Sequence, residues 1–252
     1  MTSTTTIDVS TIAAIGHGEA MALQATELDR ALGLLRKLDA DRWSAPTVCP
    51  DWDVRQMWLH VLGACEAGAS IRENMHQMRA GRKRRKELGV SLEAGLSAVQ
   101  VAERDQLSHD DLVDRLEFIA PKTVKGRSRT PRPMRAIKIA IDAPVVEQWT
   151  LGYLIDVIYL RDVWMHRVDT AHATGAALVL SADHDGRIVA DIVAEWARRH
   201  GQPFTLQLSG VAGGFFTAGE GGETIAMDAV EFCCVLAGRG EAAGLLATIV
   251  PF

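Results

Sequence analysis

The sequence predicts an α+β protein, with a long helical part over residues 1–177 and a small α+β domain over residues 178–252. Two observations lead there. Apolar residues recur at helical spacing through the first two-thirds of the chain. Near Leu178 the pattern changes, and period-two alternation with glycine-rich turns appears.

The helical part opens with ELDRALGLLRKLDADRW, where Leu28, Ala31, Leu32, Leu35 and Leu38 form one amphipathic stripe. Pro46 and Pro50 then break the chain, and Asp53 with Gln56 three residues on has the form of a capping box. The next helix carries Met57, His60, Val61 and Ala64 on one side. The basic run RAGRKRRK, Arg79 to Lys86, is expected to end a helix and form a solvated turn. Further helices are expected from about Ser91 and from about Ser108, the second burying Leu112, Leu116 and Ile119. Prolines and basic residues between Pro121 and Pro144 predict a long irregular connection. The longest helix is expected from about Val145 or Thr150 to Ala173, with Gly175 as its C-cap.

In the C-terminal domain Ser181 is expected to cap DHDGRIVADIVAEWARRH, which stops at Gly201. PFTLQLSG alternates as a strand through Phe204, Leu206 and Leu208. Short strands around Phe215 and Ile225 and a last helix, DAVEFCCVLAG, complete the domain.

Composition narrows the function classes. Hydrophobic residues at 48% and charged residues at 23% suit a soluble globular chain with a real core. A net charge of −5 gives no general argument for nucleic acid. The N-terminus MTSTTTIDVSTI has neither a basic start nor an apolar run, so a secretory signal is not expected. LGYLIDVIYL contains Asp156 and runs into Arg161 and Asp162, too short and too charged to span a bilayer. Cys49, Cys65, Cys233 and Cys234 show no C-x-x-C spacing and suit a reducing cytosol. The expectation is a cytoplasmic protein, a monomer or homodimer, with small-molecule partners and neither nucleic acid nor membrane. No phosphate loop, dinucleotide fingerprint or nucleophile elbow is present.

The chemistry concentrates in LRDVWMHRVD. Asp162 and His166 stand four apart, and a four-residue helical step turns about 40° and rises about 6 Å. Both side chains then project from one face and can grip one metal ion. His60 lies in a second apolar helical segment, DVRQMWLHVLGA. Each residue also has a plainer reading. His60 could be a core histidine bonded to a carbonyl, Asp162 a partner of Arg161 or Arg167, and His166 a helix-end residue favoured by the dipole. Against these, Asp162 interrupts the apolar neighbours Ile158, Leu160, Val163, Trp164 and Met165, and a buried carboxylate is costly unless paired or metal-bound. Asp169, three after His166, reads more readily as an ordinary helix-surface carboxylate than as an acceptor that orients that ring. At least one of Arg161 and Arg167 is expected at the surface or at a helix end.

CPDWDVRQMWLHVLG and LRDVWMHRVDTAHATG together resemble the two signatures of the mycothiol-dependent maleylpyruvate isomerase family, a branch of the DinB-like bundle proteins. The stretch from FTLQLSGVAGG through MDAVEFCCVLAGR resembles that family's small C-terminal domain. The resemblance implies an up-and-down four-helix bundle over residues 1–177 and a divalent metal held by His60, Asp162 and His166. It implies mycothiol, a low-molecular-weight thiol, as a second cofactor, and a small-molecule electrophile as substrate. The family's characterised isomerase has Glu where this chain has Asp162, a side chain one methylene shorter. Arg239, in LAGRGEA, is a candidate to bind a substrate carboxylate or a cofactor oxygen.

Three protein ligands leave open positions, the pattern of catalytic zinc, although two nitrogens and one oxygen also suit nickel, iron or manganese. Such a site lowers the pKa of a thiol, and a thiolate is the competent nucleophile. The expected function is therefore a metal-dependent, mycothiol-using isomerase or thiol S-transferase. The alternatives are a non-catalytic metal- or ligand-binding protein, connected with stress, and a metal-dependent hydrolase.

Overall fold

The computed structural model describes residues 6–142 and 146–252, so the expectations that fall on Ala143, Pro144 and Val145 lie outside the described residues. The chain is α+β and divides into two units. One is Gly16–Leu178, and the other combines Val179–Phe252 with the described part of Met1–Ile15.

The larger unit holds α1 (His17–Leu35), α2 (Val54–Ala69), α3 (Ile71–Leu88), α4 (Leu92–Ala102), α5 (His109–Ser128) and the short α6 (Arg132–Arg135). A hairpin comes next, β2 (Lys138–Ile141) antiparallel to β3 (Glu147–Thr150). Then α7 (Leu151–Tyr153) runs through a π-turn, Leu154–Ile158, into α8 (Tyr159–Thr174). Helices α1, α5, α2 and α8 pack in a ring as a four-helix bundle, and α3 and α4 pair with each other against α2. The predicted stripe on α1 faces the core, with Leu28, Ala31, Leu32 and Leu35 buried against Met57, Trp58 and Leu62 of α2 and Leu112 and Leu116 of α5.

Side-chain caps set the helix starts. Asp53 accepts from Gln56 N at 2.7 Å while the Gln56 side chain accepts from Asp53 N at 3.0 Å, the expected capping box. Ser70, Ser91 and Ser108 cap α3, α4 and α5 by accepting from the backbone N–H three residues on. Gly175, at φ 68°, ends α8 in the left-handed conformation that glycine adopts without steric cost.

Two expectations about connections are corrected. The basic run Arg79 to Lys86 is no turn; it forms the last exposed turns of α3, which continues to Leu88. Lysine and arginine are good helix formers, and their charges suit a helix C-terminus. The irregular connection expected between Pro121 and Pro144 is largely regular structure, because α5 continues through Pro121 to Ser128 and α6 and β2 follow. Proline there removes one backbone donor. The helix beyond it is held by tertiary bonds: Thr123 Oγ1 donates to Cys65 O at 2.6 Å, and Arg127 Nη1 donates to Gln24 Oε1 at 2.9 Å. Here α5 also approaches α2 closely, and a Cβ at Gly126 would run into Gly68 O.

The smaller unit carries a four-stranded sheet in the order β1-β5-β4-β6, formed by β1 (Thr6–Asp8), β4 (Phe204–Ser209), β5 (Gly214–Ala218) and β6 (Glu223–Asp228). Strand β4 runs antiparallel to β5 and parallel to β6, and its alternation buries Phe204, Leu206 and Leu208. With them pack α9 (Arg187–His200) and α10 (Ala229–Leu236), where Trp196 meets Phe204 and Phe232 edge-on or tilted. The N-terminal segment, expected with the helical domain, belongs with this unit instead, because β1 pairs in parallel with β5 through Thr6, Ile7 and Asp8. A three-residue strand has too little periodicity to announce itself in sequence.

The Gly126 contact is testable. Gly126→Ala should destabilise the protein by about 1–3 kcal/mol in chemical denaturation, since the new methyl meets backbone. Gly33→Ala, in α1 with nothing within 4 Å of its new Cβ, should stabilise by up to about 1 kcal/mol.

Candidate metal centre

Helices α2 and α8 bring His60, Asp162 and His166 together. Ligand atoms from the three residues lie within 4.8 Å of one another. Asp162 Oδ1 is 3.7 Å from His60 Nε2 and 3.4 Å from His166 Nε2. The imidazoles meet edge to face with centroids 5.7 Å apart. The site is recessed but open, with side-chain exposures of 15% for His60, 23% for Asp162 and 7% for His166.

The rotation of each helix is set by its surroundings. Trp58, Leu59, Val61 and Leu62 are fully buried, which leaves α2 no freedom to turn His60 away. On α8 every residue from Leu160 to Ala171 except Asp162 is buried. The two helices are tied directly, since Trp58 Nε1 donates to Thr170 Oγ1 at 2.8 Å and that hydroxyl donates to His166 O at 2.7 Å. The π-turn before α8 adds a residue to one turn and so rotates α8 by about 100°. Asp156, within that turn, is anchored by His17 Nδ1 at 2.7 Å and Arg135 Nη1 at 3.3 Å.

Both imidazoles have an acceptor on the nitrogen that faces away from the centre. His60 Nδ1 lies 2.7 Å from Gln100 Oε1, and His166 Nδ1 lies 3.3 Å from Asp169 Oδ2. Trp52 stacks on the His60 ring at 5.1 Å. With protons on both Nδ1 atoms, two imidazole lone pairs and one carboxylate converge on the same point. That donor set suits a cation. Two ligand atoms about 2.1 Å from a tetrahedral zinc stand about 3.4 Å apart, and the observed 3.4 and 3.7 Å separations fit that edge. The shorter aspartate therefore still reaches both rings.

Without a metal, a proton serves as the cation. Burial by itself raises the Asp162 carboxyl, but the charge and hydrogen bond of His166, and then those of His60, outweigh it and hold the group well below the usual carboxylate range. Burial likewise lowers His166, but Asp162 and then Asp169 reverse this and push it up to about 9.

Other candidates fall differently. Arg161 and Arg167 were expected to include a surface or helix-end residue, yet each is only 1% exposed. Asp162 alone is partly open along that stretch of α8, and Arg167 makes a bidentate pair with Glu27 of α1 at 2.5 and 3.1 Å. Arg239 lies in the other unit, in the turn after α10, where its Nη1 donates to Ala237 O at 3.4 Å. Cys49, read in sequence as an ordinary thiol, forms a second possible ligand group with His166 and Asp169. Gln100 and Trp52 give no sign of their roles in sequence. Trp52 stands in the CPDWD turn beside the helix cap, a position that reads as core until the turn folds back over His60.

The family described as mycothiol maleylpyruvate isomerase N-terminal domain matches residues 24–171, more than half of the chain. The chain belongs to the mycothiol maleylpyruvate isomerase family. The family match spans His60, Asp162 and His166, and ends before Arg239. Among solved structures the chain is similar to a mycothiol-dependent maleylpyruvate isomerase at 15% identity and a TM-score of 0.57, covering 93% of this chain and 92% of that one. A histidine-to-alanine mutant of a mycothiol-dependent maleylpyruvate isomerase matches at 16% identity with the same TM-score and coverage. At these identities the likeness shows the fold. No curated protein matches the sequence.

The pair of shifted groups sets a pH signature for metal-free protein. Folding raises the His166 pKa above its ordinary 6.5, so the stability it contributes is complete below about pH 6.5 and is lost as pH climbs through about 9. Asp162 acts in the opposite sense: its contribution is complete above about pH 3.8 and is lost as pH falls. The denaturation midpoint should therefore decline between about pH 6.5 and 9. Asp162→Asn should flatten that decline. A wild-type midpoint that moves no more than the variant's would contradict the pairing.

Proposed function

We propose that this chain is a divalent-metal-dependent enzyme that uses mycothiol to act on a small electrophile. Family and fold point to a mycothiol-dependent isomerase. The observation that carries the metal reading is the convergence of His60 Nε2, Asp162 Oδ1 and His166 Nε2, each imidazole backed by an acceptor on its far nitrogen. In this reading those three residues hold the ion. Zinc suits the two-nitrogen, one-oxygen set best, and nickel, iron and manganese are the competitors to be tested.

A bound divalent cation supplies a Lewis-acid centre at which a thiol ionises near neutral pH. The protein's own residues do the rest. Asp162 would offset one of the two charges of an ion held there, and His60 and His166 would be neutral ligands, so the centre would keep a net positive charge that favours a thiolate. Gln100 and Asp169 hold the two rings with Nε2 forward. Trp52 covers one face of His60 and limits water there. A thiol bound there would supply a nucleophile able to add reversibly to an electron-poor cis double bond, and loss of the same thiolate after rotation about the resulting single bond would give the trans isomer. No atom is gained or lost, so the thiol acts as a true cofactor.

Two experiments test this. Purified wild type should carry about one equivalent of divalent metal and the His60→Ala/His166→Ala double variant little; equal content in both would defeat the metal reading. Metal-loaded protein should then isomerise a cis-enone acid only when mycothiol is added, with the thiol recovered unchanged. Consumption of the thiol would indicate an S-transferase instead, and turnover without thiol a hydrolase. Failure of every electrophile tried would favour a binding protein.

A further inference from the structure

Behind His60 lies a chain of polar side chains, buried at its middle and drawn from four helices and the turn after α4. His60 Nδ1 meets Gln100 Oε1 at 2.7 Å, and Gln100 Nε2 donates to Gln77 Oε1 at 2.9 Å. Gln77 Nε2 donates both to Gly63 O at 2.9 Å and to Glu73 Oε1 at 2.8 Å. Arg104 then donates to Glu73 Oε1 at 2.9 Å and to Glu66 Oε2 at 2.9 and 2.5 Å. It also donates to Gln100 O at 3.1 Å, and Arg115 Nε closes the far end on Glu66. Gln77 is 1% exposed and Gln100 7%, so water does not compete for the bond between them, while the Glu73 side chain is 29% exposed.

The polarity of this chain is dictated from its far end. A peptide carbonyl only accepts, and an ionised carboxylate only accepts. Glu73 is held in its ionised form: burial raises its carboxyl, but Gln77 and Arg104 outweigh that and lower it. Gln77 must therefore turn its NH2 toward Gly63 O and Glu73, which turns its oxygen toward Gln100. Gln100 must answer with its own NH2, which leaves Oε1 facing His60. An oxygen at that place can only receive a proton, so Nδ1 must carry one, and in the neutral ring Nε2 then presents a lone pair. Rotating either amide by half a turn would set oxygen against oxygen or NH2 against NH2 in a buried place. The packing allows the close approach this needs. A Cβ at Gly63 would meet Gln100 Cβ and Cγ at 2.6 Å, so α4 reaches His60 only because position 63 of α2 has no side chain.

We propose that Gln77 and Gln100 are positioning residues: the relay Glu73–Gln77–Gln100 fixes the tautomer of His60 from outside the centre, and so keeps Nε2 free as a ligand. Gln77 itself touches neither His60 nor the metal position. The proposal deepens the metal reading above, but its first test does not depend on that reading.

Histidine-15N NMR of metal-free wild type, at a pH where the ring is neutral, should show the Nδ1–H tautomer for His60, assigned by its disappearance in His60→Ala. A dominant Nε2–H form would overturn the relay. Gln77→Met, close in size but without polar atoms, frees the Gln100 amide to turn over. It should bring a substantial Nε2–H population at His60 and weaken zinc binding about tenfold or more, with circular dichroism unchanged. Gln100→Leu should do the same by removing the acceptor directly, and serves if Gln77→Met does not fold. A folded Gln77→Met with wild-type tautomer and wild-type zinc affinity would overturn the proposal. Wild type with the Nδ1–H tautomer but no zinc binding would instead defeat the metal reading and leave the relay standing.

Discussion

Two imidazole lone pairs and a carboxylate cannot share a recess in a helix bundle unless a positive charge stands between them. That constraint organises the larger unit. The 3.4 and 3.7 Å gaps around Asp162 Oδ1 are wider than good hydrogen bonds and close to the edge of a zinc tetrahedron. In the metal-free protein a proton on His166 fills the role, which is why its pKa rises to about 9 while Asp162 falls. A metal would replace that proton rather than create a new contact, so binding and protonation compete for one position.

The surrounding structure keeps the recess in shape. Full burial of Trp58, Leu59, Val61 and Leu62 locks the rotation of α2. The Trp58–Thr170–His166 bonds lock α8 against it. The π-turn at Leu154–Ile158 sets the phase of α8, and Asp156 pins that turn to His17 and Arg135. Each imidazole is then oriented by one acceptor, a carboxylate for His166 and an amide oxygen for His60. The amide is the more demanding choice, because an amide can turn over. A relay that ends on groups able only to accept removes that freedom.

Much of this is legible in the sequence. The Asp53/Gln56 capping box, the α1 stripe and the β4 alternation follow from local periodicity, and each stands where it is expected. The D-x-x-x-H pair also declares itself, because a four-residue helical step is a local fact. Errors arise where tertiary bonds override local preference. Pro121 sits inside α5 because Thr123 and Arg127 anchor the helix beyond it. Arg161 and Arg167 are buried in a stretch of α8 where Asp162 alone stays partly open, which no single segment can reveal. Strand β1 is fixed by its partner β5 rather than by its own three residues. Gln77 and Gln100 carry no pattern of their own, since an exposed and a buried glutamine look alike in sequence. The one available hint is the i, i+4 pairing of Glu73 with Gln77 and of Gln100 with Arg104.

The most direct test of the account is the coordination shell itself. X-ray absorption at the zinc edge, on zinc-loaded wild type without thiol, should show two imidazole nitrogens and carboxylate oxygen at about 2.0–2.2 Å, with one imidazole lost in His60→Ala. A sulfur scatterer at about 2.3 Å, or a shell unchanged in that variant, would contradict it and move the ion to Cys49, His166 and Asp169.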